Sequence, residues 1–284
     1  MIPPNFDYHA PRTVAEAIGL LGSLGPAAKL LAGGHSLLPM MKLRFAEPAH
    51  LIDLNRIPAL RGISEEGNTL VIGAMTTESE LINSALLQTK APLLAEAARQ
   101  IADPQVRNRS TISGDIAHGD PGNDHPAIAL ALGATLVLHG PAGERQGAAD
   151  DFFLGMYMTA MAEDEILTAI RVPACRPGTG WAYEKLKRKT GDWAAAAVLL
   201  RLDGGVVSQV RIALTNVAPM ALRAVDAEHA LLGNPLIESH IAAATQAAMA
   251  ICDPADDLRG DRAYKTAMAG QMLRRALAKA ASRC

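Results

Sequence analysis

Two short stretches of this chain combine glycine with hydroxyl side chains in the way an anion site needs. The first is Ala32-Gly33-Gly34-His35-Ser36. Adjacent glycines let the backbone come close to a bulky anion, and the amides that open a following helix point outward without partners of their own. Ser36 adds a hydroxyl donor. That is the donor set a diphosphate requires, although Gly-Gly also serves as an ordinary strand exit, and the motif alone leaves both readings open. The second stretch is Thr111-Ile112-Ser113-Gly114-Asp115, running on into Gly119-Asp120-Pro121-Gly122-Asn123-Asp124. Gly114 permits another close approach, Thr111 and Ser113 offer hydroxyls, and Asp124 can accept from a ribityl or ribose hydroxyl. An Asx-rich surface turn that caps its own backbone would use the same residues. A loop as long as 103–124 is nevertheless uncommon in a compact domain unless it binds something.

The elements that must position these turns follow from periodicity. Val14, Ile18 and Leu21 have helical spacing behind a Thr13 N-cap, and Gly25-Pro26 ends that helix. Lys29 to Ala32 reads as a short strand leading into the first glycine turn. A helix over 37–45, with Pro39 in its first turn, and a strand over 50–54 follow. Further on, hairpin strands are expected over 60–63 and 69–72, helices over 77–87, 92–101 and 126–132, and strands over 134–138 and 166–172. Pro173 to Gly180 marks a boundary. Beyond it, strands over 194–202 and 206–215 flank Asp203-Gly204-Gly205, a strong hairpin signal. Helices over 222–232, 241–251 and 262–281 complete the chain, the last with Met268, Met272 and Leu277 on one face.

Composition narrows the function. The 284 residues carry 27 Lys+Arg against 29 Asp+Glu, a net charge of −2, which argues against a nucleic-acid-binding surface. Apolar residues make up 49%, enough for a sizeable core in one large or two moderate domains. No stretch approaches the roughly 18 apolar residues of a membrane span. Met1 to Tyr8 lacks the basic-then-apolar order of a signal peptide, so a cytoplasmic location is expected, with contact at the inner face of the membrane left open. Cys175, Cys252 and Cys284 lie far apart, so no local motif can hold zinc or an iron–sulfur cluster. Walker A, G-x-G-x-x-G and H-E-x-x-H motifs are all absent.

Read together and in order, several segments resemble the FAD-binding medium subunit of the molybdenum hydroxylases, the xanthine dehydrogenase family. Within it, the branch most similar is that of the aerobic carbon monoxide dehydrogenases. The carrying segments are Ala32 to Pro39, Ile101-Ala102-Asp103-Pro104-Gln105, Thr111 to Asp115, Gly119 to Asp124, Tyr183 to Lys189, Leu214-Thr215-Asn216-Val217-Ala218 and the helix around Met268 to Arg275. The resemblance implies an α+β protein. A two-part FAD-binding domain of the vanillyl-alcohol-oxidase (PCMH) type spans 1–175, divided near 55. A small antiparallel sheet with helices follows over 176–284.

It further implies that Ala32, Gly33, Gly34, His35, Ser36, Thr111, Ser113, Gly114 and Asp115 embrace the FAD diphosphate. Lys29, Leu37, Ile101, Ala102, His118, Asp124 and Leu167 would line the remainder of the site. Lys185 would lie near the flavin ring, and Trp193, where the carbon monoxide dehydrogenases carry tyrosine, would cover a ring face by stacking. The implied role is electron relay within a dimer of heterotrimers. A large subunit holds the molybdenum cofactor, a small subunit holds 2Fe–2S clusters, and FAD here passes electrons to an external acceptor. Two departures stand out: the second motif usually reads Thr-Ile-Gly-Gly-Asn, and here Ser113 and Asp115 intervene. A carboxylate beside a diphosphate is repelled unless it is turned away or bonded elsewhere. A self-sufficient oxidase with flavin linked through His35 is the alternative, and a flavin-free interaction subunit a third class.

Overall fold

The computed structural model describes residues 2–187 and 195–284. It opens on a three-stranded parallel sheet in the order Asp7–His9, His50–Asp53, Ala28–Leu31. Parallel neighbours need crossovers, and the helices Val14–Leu24 and Leu37–Lys42 supply them. Thr13 caps the first of these, accepting from the Glu16 amide at 3.1 Å, and Ala17, Ile18 and Leu21 are its buried face. The apolar cluster around this sheet does not stop near 55. It continues through Ile57, Leu60, Ala74, Met75 and Ile166.

The second layer is an antiparallel five-stranded sheet, ordered Ile63–Glu66, Thr69–Gly73, Ile166–Pro173, Thr135–Gly140, Gly143–Ala148. Six short helices lie between its second and fourth strands in sequence. The expected helix over 77–87 is two helices, Glu78–Asn83 and Ala85–Lys90. Ser84 ends one and caps the next by accepting from the Leu87 amide. The expected loop over 103–124 contains the helices Pro104–Arg107 and Ile112–His118, N-capped by Asp103 and Thr111. The His125–Leu132 helix is buried at every position, which marks a helix enclosed by the core rather than lying on it.

The C-terminal part is a four-stranded antiparallel sheet, Thr179–Lys185, Ala195–Asp203, Val206–Thr215, Leu222–Arg223, backed by the helices Val225–Leu231, Glu238–Ala250 and Arg262–Ala281. Gly204 and Gly205, both at positive φ, close the hairpin between Asp203 and Val206. Its faces alternate as strand geometry demands. Ala182, Ala196, Val198, Ile212 and Leu214 pack on its own helices, while Tyr183, Ala195, Ala197 and Ala213 join the core of the preceding layer. The segment expected as a boundary therefore runs straight into a strand at Thr179, and the helix expected from Leu222 begins only at Val225. Among the described residues no helix is long and apolar enough to cross a membrane.

Candidate functional site

The two glycine turns touch. A Cβ on Gly33 would lie 2.4 Å from the Arg109 carbonyl oxygen and 2.8 Å from the Ser110 Cα, and one on Gly114 would lie 3.5 Å from the Ala32 Cβ. Gly33 is therefore demanded by close backbone approach, and Gly34, at φ +83°, by its left-handed conformation. Beside this junction opens a cleft of about 630 Å³. Lys29, Ala32, Gly33, Gly34, His35, Ser36 and Leu37 line it from one side. Thr111, Ser113, Gly114, Asp115 and His118 line it from the other, and Leu167 contributes from the five-stranded sheet.

The first turn is braced from below. Asn55 donates to the Ala32 carbonyl at 3.0 Å and is itself held by Asp53, which also accepts from the Tyr8 hydroxyl. The backbone N–H groups of residues 33–36 take no acceptor among the described residues. Adjacent unpartnered amides are the kind of donor set an anion takes.

The second turn differs from expectation. The amides of Ile112 and Ser113 donate to the carbonyls of Thr76 and Ala74, and that of Gly114 to the Thr111 hydroxyl oxygen. Ser113 Oγ donates to the Ala74 carbonyl at 2.6 Å. Ser113 thus stitches the turn to the sheet end and has no donor left over, whereas the Thr111 hydroxyl keeps its own proton.

Asp115 borders the cleft, with one carboxyl oxygen accepting from the His125 amide at 3.1 Å on the protein side. Burial raises its carboxyl to about 7; Glu78 and Asp124 add to the rise and His125 opposes it. His125 Nε2 faces both oxygens of the fully buried Glu78 at 2.8 and 2.9 Å. Burial alone would hold this imidazole neutral, but Glu78, helped by Asp115 and Asp124, lifts it to about 9. His118 has no such partner; burial lowers it, against a weaker opposing pull from Asp120, and its ring lies 5.0 Å from that of Tyr157.

Four other expected residues are not on the cleft wall. Asp124 is engaged elsewhere, accepting from the Tyr183 hydroxyl and from Lys185 Nζ at 2.7 and 2.8 Å. Ile101 and Ala102, the latter at φ +43°, form a turn whose carbonyls take Arg107 and Lys187. Asp124, Lys185, Ile101 and Ala102 sit together at the seam with the C-terminal sheet. Trp193 lies outside the described residues. Sequence reasoning missed Asn55, Tyr157, Glu78 and His125. Only Tyr157 carried a local sign, since Leu154, Met156, Tyr157 and Met158 form an exposed apolar run next to the cleft.

Residues 4–175 match the FAD binding domain in molybdopterin dehydrogenase, and residues 181–280 match the CO dehydrogenase flavoprotein C-terminal domain. This chain belongs to the FAD-binding medium-chain family of the molybdenum dehydrogenases. It is 65% identical to the carbon monoxide dehydrogenase medium chain of Hydrogenophaga pseudoflava, with all of both chains covered. It is 51% identical to that of Afipia carboxidovorans, covering 100% of this chain and 99% of the relative. A solved carbon monoxide dehydrogenase from Hydrogenophaga pseudoflava, lacking the Mo-pyranopterin moiety of its cofactor, superposes with a TM-score of 0.99 at 67% identity over 100% of both chains.

The donor set suits the family's cofactor. The free amides of the first glycine turn, with Lys29 nearby, suit a diphosphate, and Leu30, Leu31, Met40, Met161 and Leu167 give the same cleft apolar walls. Where the family pattern has glycine and asparagine, Ser113 and Asp115 are both accommodated by bonds that lead into the protein.

Proposed function

We propose that this chain is the FAD-carrying electron-transfer subunit of a carbon-monoxide-dehydrogenase-like molybdenum hydroxylase. The reading rests above all on the two glycine turns meeting at Gly33 on one cleft, in a chain that matches medium chains over its whole length. Lys29, Ala32, Gly33, Gly34, His35, Ser36, Thr111 and Gly114 hold the dinucleotide. The free amides of 33–36 bind its diphosphate, Asn55 keeps that turn in place, and Leu167 and His118 shape the remainder. Lys185, Asp124, Ile101 and Ala102, gathered at the seam, serve the ring end. FAD, when bound, supplies the electron exchange, so the side chains need only bind, orient and set the local field.

Cys175, Cys252 and Cys284 cannot together hold a cluster. The 2Fe–2S clusters therefore belong to a small partner subunit and the molybdenum cofactor to a large one, in a dimer of heterotrimers in the cytoplasm. The exposed Leu154, Met156, Tyr157 and Met158 give a partner an apolar landing surface at the cleft mouth. The division into 1–175 and 176–284 follows the same reading.

Acid precipitation of the purified complex tests it. One FAD per chain is expected in the supernatant. Yellow colour retained on the pellet indicates the self-sufficient oxidase, with flavin bonded through His35. A folded chain whose unfolding midpoint is unmoved by added FAD, and which releases none, is the flavin-free interaction subunit instead.

A further inference from the structure

Asp115 stands between the cleft and a buried cluster of charges. On the cluster side, His125 faces it from the start of the His125–Leu132 helix, offering its backbone N–H. Glu78, from the Glu78–Asn83 helix, is paired with that imidazole. Asp124 is paired with Lys185 of the C-terminal sheet and with the Tyr183 hydroxyl. The charges sort into couples: His125 answers Glu78 and Lys185 answers Asp124. Asp115 is the remaining carboxyl, and among the described residues a single amide dipole is its direct partner. On the cleft side, the ionisable side chains bordering the same space among the described residues are Lys29, His35, His118, Glu163, Glu165 and Tyr157, whose hydroxyl burial and Asp120 hold above its ordinary value. Burial holds His118 on the neutral side, and Glu165 is engaged by Arg145 at 2.5 and 2.6 Å.

We propose that Asp115 couples FAD binding to a proton: the cleft takes FAD with Asp115 protonated, and ionisation of Asp115 weakens the binding. The inference rests on the FAD reading of the cleft. A diphosphate brings two negative charges to the wall that Asp115 borders, where water is too scarce to screen a third. The free protein already holds this carboxyl up to about 7, through burial first and the neighbouring Glu78 and Asp124 second, against the pull of His125. Below that pH the proton is in place before FAD arrives. Above it, binding must recover a proton from solvent. In the limit where only the protonated form binds, Kd rises about tenfold for each pH unit beyond the titration.

Flavin fluorescence quenching on the full chain, stripped of flavin, reads this directly at pH 6, 7 and 8 for the wild type and Asp115→Asn. The amide keeps an acceptor for the His125 N–H and carries no charge. The wild-type Kd is expected to rise by up to about tenfold from pH 7 to 8, with the Asp115→Asn Kd flat. Calorimetry at pH 8 in two buffers of different ionisation heat gives a second readout that needs no variant: uptake approaching one proton per FAD bound by the wild type. Parallel pH slopes for the two proteins, or binding with no proton uptake, would overturn the proposal while leaving FAD in the cleft. Failure of both proteins to bind FAD at any pH would remove the FAD reading and this inference with it.

Discussion

Gly33 shows how much one hydrogen in place of a methyl group can decide. Its absent Cβ is the space in which the Arg109 carbonyl sits, and backbone cannot swing aside as a flexible side chain would. Gly33→Ala must part the two turns. The expected cost is about 1–3 kcal/mol in stability and a rise in the FAD Kd of roughly tenfold or more. Urea unfolding and flavin titration check the two. Gly22→Ala is the control, because its Cβ would meet open space within the Val14–Leu24 helix: it should leave the FAD Kd unchanged and raise stability by about 0.5–1 kcal/mol, the helix-interior gain of alanine over glycine. At this scale the sequence was informative wherever the reason for a residue is local. Gly33 and Gly114 announced themselves, and Asp115 announced a conflict of charge. The resolution of that conflict was not legible. It depends on Glu78 from a distant helix and on the amide of His125, whose position relative to Asp115 is fixed only when the Ile112–His118 and His125–Leu132 helices pack together.

Among the elements, the long amphipathic helices and the Gly204-Gly205 hairpin could be read directly, because their signals recur over many residues or are tied to one turn type. The stretch 103–124 could not, since helices of four and seven residues complete too few turns to show a period. The strand Gly143–Ala148 escaped for another reason: it is a sheet edge, mostly exposed on both faces, and has no apolar alternation to read. What holds the Gly119–Asp124 segment is a pair of residues far along the chain. Thr215 Oγ1 reaches the carbonyls of Asn123 and Pro121 at 2.7 and 3.0 Å, and Asn216 bonds Pro121 and Gly122 through its amides. Thr215→Val keeps the shape and removes the donor, leaving the Asn123 carbonyl unsatisfied while Pro121 keeps the Asn216 amide. It should cost about 1–3 kcal/mol, measured by urea unfolding. Limited proteolysis should reveal cleavage within 119–124 that the wild type resists.

The whole molecule is joined by ion pairs across the seam between the FAD-binding layers and the C-terminal sheet. Lys279 of the last helix and Arg283 just past its end reach Glu96, and Lys185 reaches Asp124, while Lys279 also holds Glu184 within the C-terminal part. Close behind this seam His125 lies against Glu78, and the raised His125 imidazole gives the fold a pH dependence. Burial opposes the charge on His125, and Glu78 more than restores it, so the folded value of about 9 stands above the ordinary 6.5. A proton is thus held more tightly by the folded than by the unfolded chain. The stability it confers is complete below about pH 6.5 and is lost as pH rises through 9. Asp115 acts with the same sign lower on the scale. Raised from 3.8 to about 7, it costs stability progressively between those values and no further above them. From pH 6.5 to 9 the remaining decline therefore belongs chiefly to His125. Glu78→Gln removes the charge that sustains the imidazolium. It should lower stability at pH 6.5 by about 3–5 kcal/mol, the usual cost of breaking a buried pair, and flatten the decline toward pH 9. Urea unfolding at pH 6.5, 7.5 and 9 measures both effects, and a variant that is weaker yet falls as steeply as the wild type would show that the slope arises elsewhere.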